Sequence, residues 1–365
     1  MRVTVAAWAG STNLGDELIL AALVARLRDH GHEPVVLSVD PAATESTHGV
    51  DAVDAHRPDA LGALRHSEAV VFGGGGLLQD RTSDLNLPYH LARLLAAPRT
   101  IPAVGVGLGA GPLHTHLGRT LVRRVLPRLD AVAVRDAPSA TVLRGLGLPH
   151  PRLGADLALG LGPPTGPPQG RLVVSLRPWT STRRRLPVHL RRQQTPERVI
   201  DAVAAGVDAA AASTGLAVHF VALDPVRDHP LHQAVAARMR APATLARPDV
   251  HTVLDEIATG EVVIAMRYHA AIGAVLAGRP LVALSYDPKV AALTGELGAG
   301  ARTLAWDDPA LATALPDAAA AVAGHHDQVA TTRRRLQARQ RVNDEVLDLL
   351  HPARPPARRR SDPTG

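Results

Sequence analysis

The run Met266-Arg267-Tyr268-His269 pairs a guanidinium with an imidazole at the end of the buried apolar stretch Val262–Ala265, where a helix is expected to begin. Helix N-termini attract anions, a guanidinium matches a carboxylate or phosphate, and an imidazole can move a proton near neutral pH. The next apolar stretch, Leu281–Ser285, runs through Tyr286-Asp287-Pro288 into Lys289. Lys289 is the one lysine of the chain, against 39 arginines. A position that keeps an ammonium where Arg is otherwise universal points to a need for a compact charge. Adjacent parallel strands would carry Arg267, His269 and Lys289 to one rim, an anion site with a general acid or base beside it.

Further motifs fall where other strands end. Gly10-Ser11-Thr12-Asn13-Leu14-Gly15-Asp16-Glu17 joins the first strand to the first helix, with acidic residues at the helix start. An acidic loop mouth is a poor phosphate cradle and suits the hydroxyls of a sugar, which makes Asn13 and Asp16 acceptor candidates. In Phe72-Gly73-Gly74-Gly75-Gly76-Leu77 the glycines, Gly74 and Gly75 above all, are expected to turn backbone N–H groups toward a ligand. Val104-Gly105-Val106-Gly107-Leu108-Gly109 repeats that arrangement. Arg135 ends the strand Ala131–Val134 and either enters a cleft or pairs with Asp136. Arg177, followed by Pro178 and Trp179, offers a guanidinium beside a flat apolar face, which fits a sugar ring or a planar carboxylate. The arginines at 183–185, 191 and 192 read as solvated surface.

These residues need a scaffold that brings many strand ends together. Short β-branched runs alternate with alanine-rich helical stretches throughout, the pattern of parallel α/β sheets. Strands are expected at 2–7, 34–39, 69–72, 101–106 and 131–134, then at 172–176, 217–222, 262–265, 281–285 and 303–305. The Gly/Pro stretch from Gly160 to Gly170 separates the two sets. The expected organisation is therefore an α/β fold of two doubly wound Rossmann-like domains facing a central cleft. Residues 1–160 form the first domain, 161–170 the linker, 171–350 the second, and 351–365 a disordered basic tail.

Several functions are excluded or disfavoured. The chain has no cysteine, so disulfides, thiolate metal sites and a cysteine nucleophile are absent, and no metal is expected. No G-x-G-x-x-G follows the first strand and no Gly-Lys-Ser/Thr follows the glycine run, which argues against dinucleotides and P-loop nucleotides. The net charge of +6 owes much to Arg354 and Arg358-Arg359-Arg360, without aromatics or a reading module for nucleic acid. No apolar run approaches the roughly 18 residues of a membrane span, and the first strand starts too early for a signal peptide, so a cytoplasmic location is expected.

The sequence resembles the polysaccharide pyruvyl transferase family up to about Leu350. The resemblance rests on Asn13-Leu14-Gly15-Asp16-Glu17, Gly73–Gly76, Arg135-Asp136 with Ser139, Leu176-Arg177-Pro178-Trp179, Met266-Arg267-x-His269 and Ser285-Tyr286-Asp287-Pro288-Lys289. Tyr268 departs from it, since family members often carry leucine there. The resemblance implies a GT-B-like fold and transfer of pyruvate from phosphoenolpyruvate, a donor substrate rather than a cofactor, to a sugar as a ketal. The acceptor is then a cell-surface polysaccharide or its lipid-linked precursor, and its lipid would bring the protein against the inner membrane face. Arg135, Arg267 and Lys289 become donor ligands, His269 the general acid, and Asn13 and Asp16 acceptor residues, Asp16 either as base or as positioning group. A sugar-nucleotide-dependent GT-B glycosyltransferase is the competing expectation.

Overall fold

The computed structural model describes residues 1–81, 85–148, 150–178, 195–286 and 288–350. Its first sheet comprises β1 (Arg2–Ala6), β2 (Glu33–Ser38), β3 (Asp51–Asp54), β4 (Ala69–Leu78), β5 (Ala103–Ala110), β6 (Ala131–Val134) and β7 (Arg152–Leu153). The second comprises β8 (Arg171–Ser175), β9 (Ala217–Val221), β10 (Ala243–Ala246), β11 (Gly260–Ala265), β12 (Leu281–Ser285) and β13 (Ala301–Ala305). The strand orders are β3-β2-β1-β4-β5-β6-β7 and β10-β9-β8-β11-β12-β13, and the pairs are parallel. Each is doubly wound, with the order reversing beside its first strand. Residues 161–170 connect them without strand or helix.

The helices are α1 (Leu14–Asp29), α2 (Pro41–His48), α3 (Asp59–Arg65), α4 (Asn86–Ala96), α5 (His116–Val125), α6 (Ala137–Gly145), α7 (Glu197–Thr214) and α8 (Asp228–Ala236). They continue with α9 (Val253–Ala258), α10 (Tyr268–Ala277), α11 (Pro288–Leu297), α12 (Leu311–Val322), α13 (His326–Ala338) and α14 (Gln340–Leu347). Among the described residues no helix is long and apolar enough to cross a membrane.

Alternation along the strands divides the core into layers. Val3, Val5, Val71 and Val104 face one way with α1, while Ala6, Val70 and Phe72 face the other with α4. In the second sheet Val173, Val263 and Ala265 join the same inner cluster as α1, and Leu172, Val174 and Ile264 pack outward with α7 and α12. The inner cluster is thus continuous across both halves. Its central helices α1 and α10 are buried on almost every side, as their lack of a polar stripe requires.

Three short strands were not expected from the sequence: β3, β7 and β10 have no long apolar run and form as sheet edges by pairing with a neighbour. The glycine motifs correct a second expectation. Gly73–Gly76 is not a loop after a strand but the continuation of β4, paired with an equally glycine-rich β5 through Gly73↔Val106 and Gly75↔Leu108. Gly74 and Gly75 both take φ +81, where side chains are disfavoured. A Cβ on Gly74 would lie 2.2 Å from Ile19 Cγ2, so this glycine admits α1 against the sheet rather than a ligand.

The last helix also departs from expectation. Assigned by sequence to the second half, α14 returns to pack on β5 and β6 of the first sheet. Asn343, fully buried, explains why. Its Oδ1 accepts from Gly107 N at 3.0 Å, where the register of β5 shifts, and its Nδ2 donates to Ala155 O at 3.0 Å beyond β7.

Candidate active site

Helices that directly follow parallel strands start on the same side of the sheet, and the N-termini of α1, α6, α10 and α11 converge between the halves. Asn13 caps α1: its Oδ1 accepts from Gly15 N at 3.4 Å, and its Nδ2 donates to Asp16 Oδ2 at 2.6 Å. Asp136 caps α6, accepting from Ser139 N at 2.8 Å and Ser139 Oγ at 2.5 Å. Arg267 and His269 open α10, and Lys289 lies in the first turn of α11.

His269 is the point where the halves meet. A Cβ added to Gly15 would lie 2.2 Å from His269 Nδ1, so the imidazole sits directly on the start of α1. Its other nitrogen, Nε2, faces the fully buried Asp156 Oδ2 at 3.7 Å. Both of those atoms are buried without a hydrogen-bond partner in the structure. Burial pushes the Asp156 carboxyl up, but His269 and Arg135 outweigh it and hold the group below the usual carboxylate range. Asp16 goes the other way: burial raises it, against the opposing pull of His269, Asn13 and Lys289. A carboxyl with a raised pKa has the character of a proton acceptor tuned toward neutral pH.

Arg135 satisfies both readings of its motif. Its Nε donates to Asp136 Oδ2 at 3.1 Å and its Nη1 lies 3.6 Å from Asp156 Oδ2. Its Cζ stands 4.8 Å from the centre of the Tyr268 ring. Burial works against its charge, but Tyr268, Asp136 and Asp156 hold its pKa above the ordinary value. Lys289 Nζ lies 5.6 Å from the same ring. Burial keeps the Tyr268 phenol well above its usual pKa, so a neutral ring stands near both cations. Gly109 makes room here, since a Cβ on it would come within 2.7 Å of the Arg135 guanidinium.

Arg135, Asp156, Tyr268 and Lys289 border a cavity of about 510 Å³ that Glu296, Arg335 and Arg339 also line. Both arginines pair with Glu296. The volume suits a small multiply charged molecule with part of a second substrate.

Arg267 is held by carboxylates. Its Nε and Nη2 grip the two oxygens of buried Asp228 at 2.9 and 2.5 Å, with Asp224 Oδ2 at 3.5 Å. Burial opposes its charge, but these two carboxylates hold its pKa above the ordinary value. Nε and Nη2 are thus committed to carboxylates, and Arg267 anchors the α10 entrance to α8. Asp224 also accepts from Thr12 Oγ1 at 2.9 Å, and Leu14 N donates to Leu223 O at 2.7 Å, tying the α1 loop to the second half. Arg177 stands apart from the cavity, donating from Nη1 to the Tyr286 hydroxyl at 2.6 Å. Gly75 lies beside Asp16, a Cβ there falling 3.7 Å from its Oδ1. Trp179, Asp287, the arginines at 183–185, 191 and 192, and the basic tail lie outside the described residues.

Sequence reading missed Asp156, Asp224, Asp228 and Arg81. The Asp-x-x-x-Asp spacing of Asp224 and Asp228 just beyond β9 was a usable signal, as was an aspartate set among apolar residues in Gly154-Ala155-Asp156-Leu157.

A family model described as polysaccharide pyruvyl transferase matches residues 13–288, a span that contains Asn13, Asp16, Arg135, Asp156, Arg267 and His269 and ends one residue before Lys289. The chain belongs to the polysaccharide pyruvyl transferase family. No curated protein matches this family member at a significant level. Its fold is similar to that of a UDP-GlcNAc 2-epimerase from Neisseria meningitidis solved with UDP-GlcNAc, at 10% identity and TM-score 0.60, covering 96% of this chain and 100% of the other. A putative UDP-N-acetylglucosamine 2-epimerase from Listeria monocytogenes gives 13% identity and TM-score 0.60, covering 94% and 96%. The glycosyltransferase VinC in complex with dTDP gives 14% and 0.53, covering 96% and 98%. At these identities the likeness is one of fold, and it gives this pyruvyl transferase family member the two-Rossmann GT-B arrangement.

Proposed function

We propose that the chain transfers the pyruvyl group of phosphoenolpyruvate to two hydroxyls of a saccharide, as a ketal, with release of inorganic phosphate. The observation that carries this reading is His269 held between Asp156 and the start of α1, beside a cavity bordered by Arg135 and Lys289 around Tyr268. The donor has a carboxylate and a phosphate, and two cations on the border of one cavity match its two anions.

In the proposed step His269 delivers a proton to the terminal methylene carbon, which becomes the methyl group. The neighbouring carbon becomes electrophilic, and a sugar hydroxyl adds to it while Asp16 takes the hydroxyl proton. The carbon–oxygen bond to phosphate then breaks, the electron pair leaving with the phosphate under stabilisation by Arg135 and Lys289. A second hydroxyl closes the ketal and its proton leaves with the phosphate. Asp156, held ionised, orients the ring of His269. A lipid-linked saccharide as acceptor would bring the protein to the inner membrane face.

The test is incubation with labelled phosphoenolpyruvate and a panel of nitrophenyl and lipid-linked glycosides, read by product mass and phosphate release. His269→Ala should abolish product and leave donor binding largely intact. Lys289→Arg, which keeps charge but not shape, should weaken the donor. Binding of nucleotide sugars with no response to phosphoenolpyruvate would overturn the proposal in favour of glycosyl transfer.

A further inference from the structure

Three arginines stand at strand ends facing the cleft, and they are treated differently. Arg135 is neutralised by Asp136 and Asp156, and Arg267 by Asp228 and Asp224. Arg177, half-buried two residues beyond β8, has no carboxylate partner among the described residues, and its buried Nε has no hydrogen-bond partner. Its Nη1 donates to the Tyr286 hydroxyl at 2.6 Å, and its Cζ lies 5.0 Å from the Tyr286 ring centre. A second guanidinium approaches the same ring from the first half of the molecule. Arg81, just past β4, places Cζ 5.3 Å from it and donates from Nη1 to Tyr286 O at 3.2 Å. Two arginines from opposite halves thus share one aromatic ring, outside the walls of the cavity bordered by Lys289.

A half-buried guanidinium without a counter-charge is costly to hold in place. A neighbouring second guanidinium adds repulsion, which an anionic ligand would convert into attraction. Guanidinium pairs favour phosphoryl groups through fork-shaped donor geometry. On the reading that the Lys289 cavity takes the donor, both donor anions are already provided for, so this second site serves the other substrate. We infer that Arg177, Arg81 and Tyr286 form a separate anion subsite that takes the phosphoryl group of a phosphorylated saccharide acceptor.

The subsite is tested by calorimetric titration of the full chain with a sugar 1-phosphate, the same sugar without phosphate, inorganic phosphate, and phosphoenolpyruvate. Wild type, Arg177→Gln, Arg81→Gln and Lys289→Gln are compared, with thermal unfolding to confirm that each variant is folded. Arg177→Gln should weaken the sugar phosphate roughly 10- to 100-fold, the loss of a charged hydrogen bond, and leave phosphoenolpyruvate unchanged. Arg81→Gln should shift it the same way, and Lys289→Gln should do the reverse. Should Arg177→Gln leave the sugar phosphate unaffected, or weaken phosphoenolpyruvate equally, the subsite does not exist as a separate site. Inorganic phosphate binding as tightly as the sugar phosphate, with the same dependence on Arg177, would reassign it to the released product. If phosphoenolpyruvate fails to bind wild type while the sugar phosphate still depends on Arg177, the donor reading falls and the subsite stands.

Discussion

Tyr268 gathers two cations around one ring. Arg135 and Lys289 lie 4.8 and 5.6 Å from its ring centre, close enough for attraction to the ring face to offset part of their mutual repulsion. A leucine in that place would fill much of the volume and supply none of the attraction. Tyr268→Phe is therefore expected to keep phosphoenolpyruvate affinity close to wild type. Tyr268→Leu should lose about 1–2 kcal/mol of it, roughly ten-fold in Kd. Titration calorimetry on both variants checks this, and equal affinity of the leucine variant and wild type would remove the ring from donor binding. The placing of Arg135, His269 and Lys289 at strand ends and helix starts was legible from the sequence. The commitment of Arg267 to Asp228 was not, because the two are 39 residues apart and nothing local signals their pairing.

At the scale of elements, the site depends on two helix N-termini pressed together. Replacing a glycine by alanine in a helix is ordinarily stabilising by about 1 kcal/mol. Gly15, in the first turn of α1, is the opposite case, because the added methyl would overlap the imidazole of His269. Gly15→Ala is expected to lower kcat at least about ten-fold and to lower the unfolding temperature as well, a combination typical of overpacking. Initial rates alongside thermal unfolding measure both. A variant that is active and more stable would show that the ring is not seated on α1. The glycine runs of β4 and β5 show the limit of local reading. Four glycines fit a ligand loop or a strand under a close-packed helix equally well, and the position of Ile19 decides between them.

For the whole molecule, each half buries an imidazole that cannot carry charge. His90 in α4 and His232 in α8 are both pushed down by burial to about 3. His232 Nε2 lies 3.0 Å from Leu176 N and 3.1 Å from Leu176 O, just before Arg177. In the unfolded chain these groups titrate near 6.5. Between that pH and about 3 the unfolded state therefore binds more protons than the folded one. Stability should thus be fully present above the unfolded pKa and fall on acidification, by about 1.4 kcal/mol per imidazole for each pH unit. Chemical unfolding at neutral and mildly acidic pH measures the slope, and His232→Gln should make it shallower; an unchanged slope would mean that this imidazole titrates normally.

The amino-acid sequence by itself determined the alternation of strand and helix and the placing of reactive side chains at strand ends. Those properties depend on neighbours a few residues away. Only the tertiary structure decided that Asp156 faces His269, that Arg81 and Arg177 share Tyr286, and that α14 crosses back to the first sheet. Each of these joins groups from about 100 to over 200 residues apart through a buried charge or an unpaired backbone group. Such needs arise only once the inner core has closed around them, so no local pattern announces them.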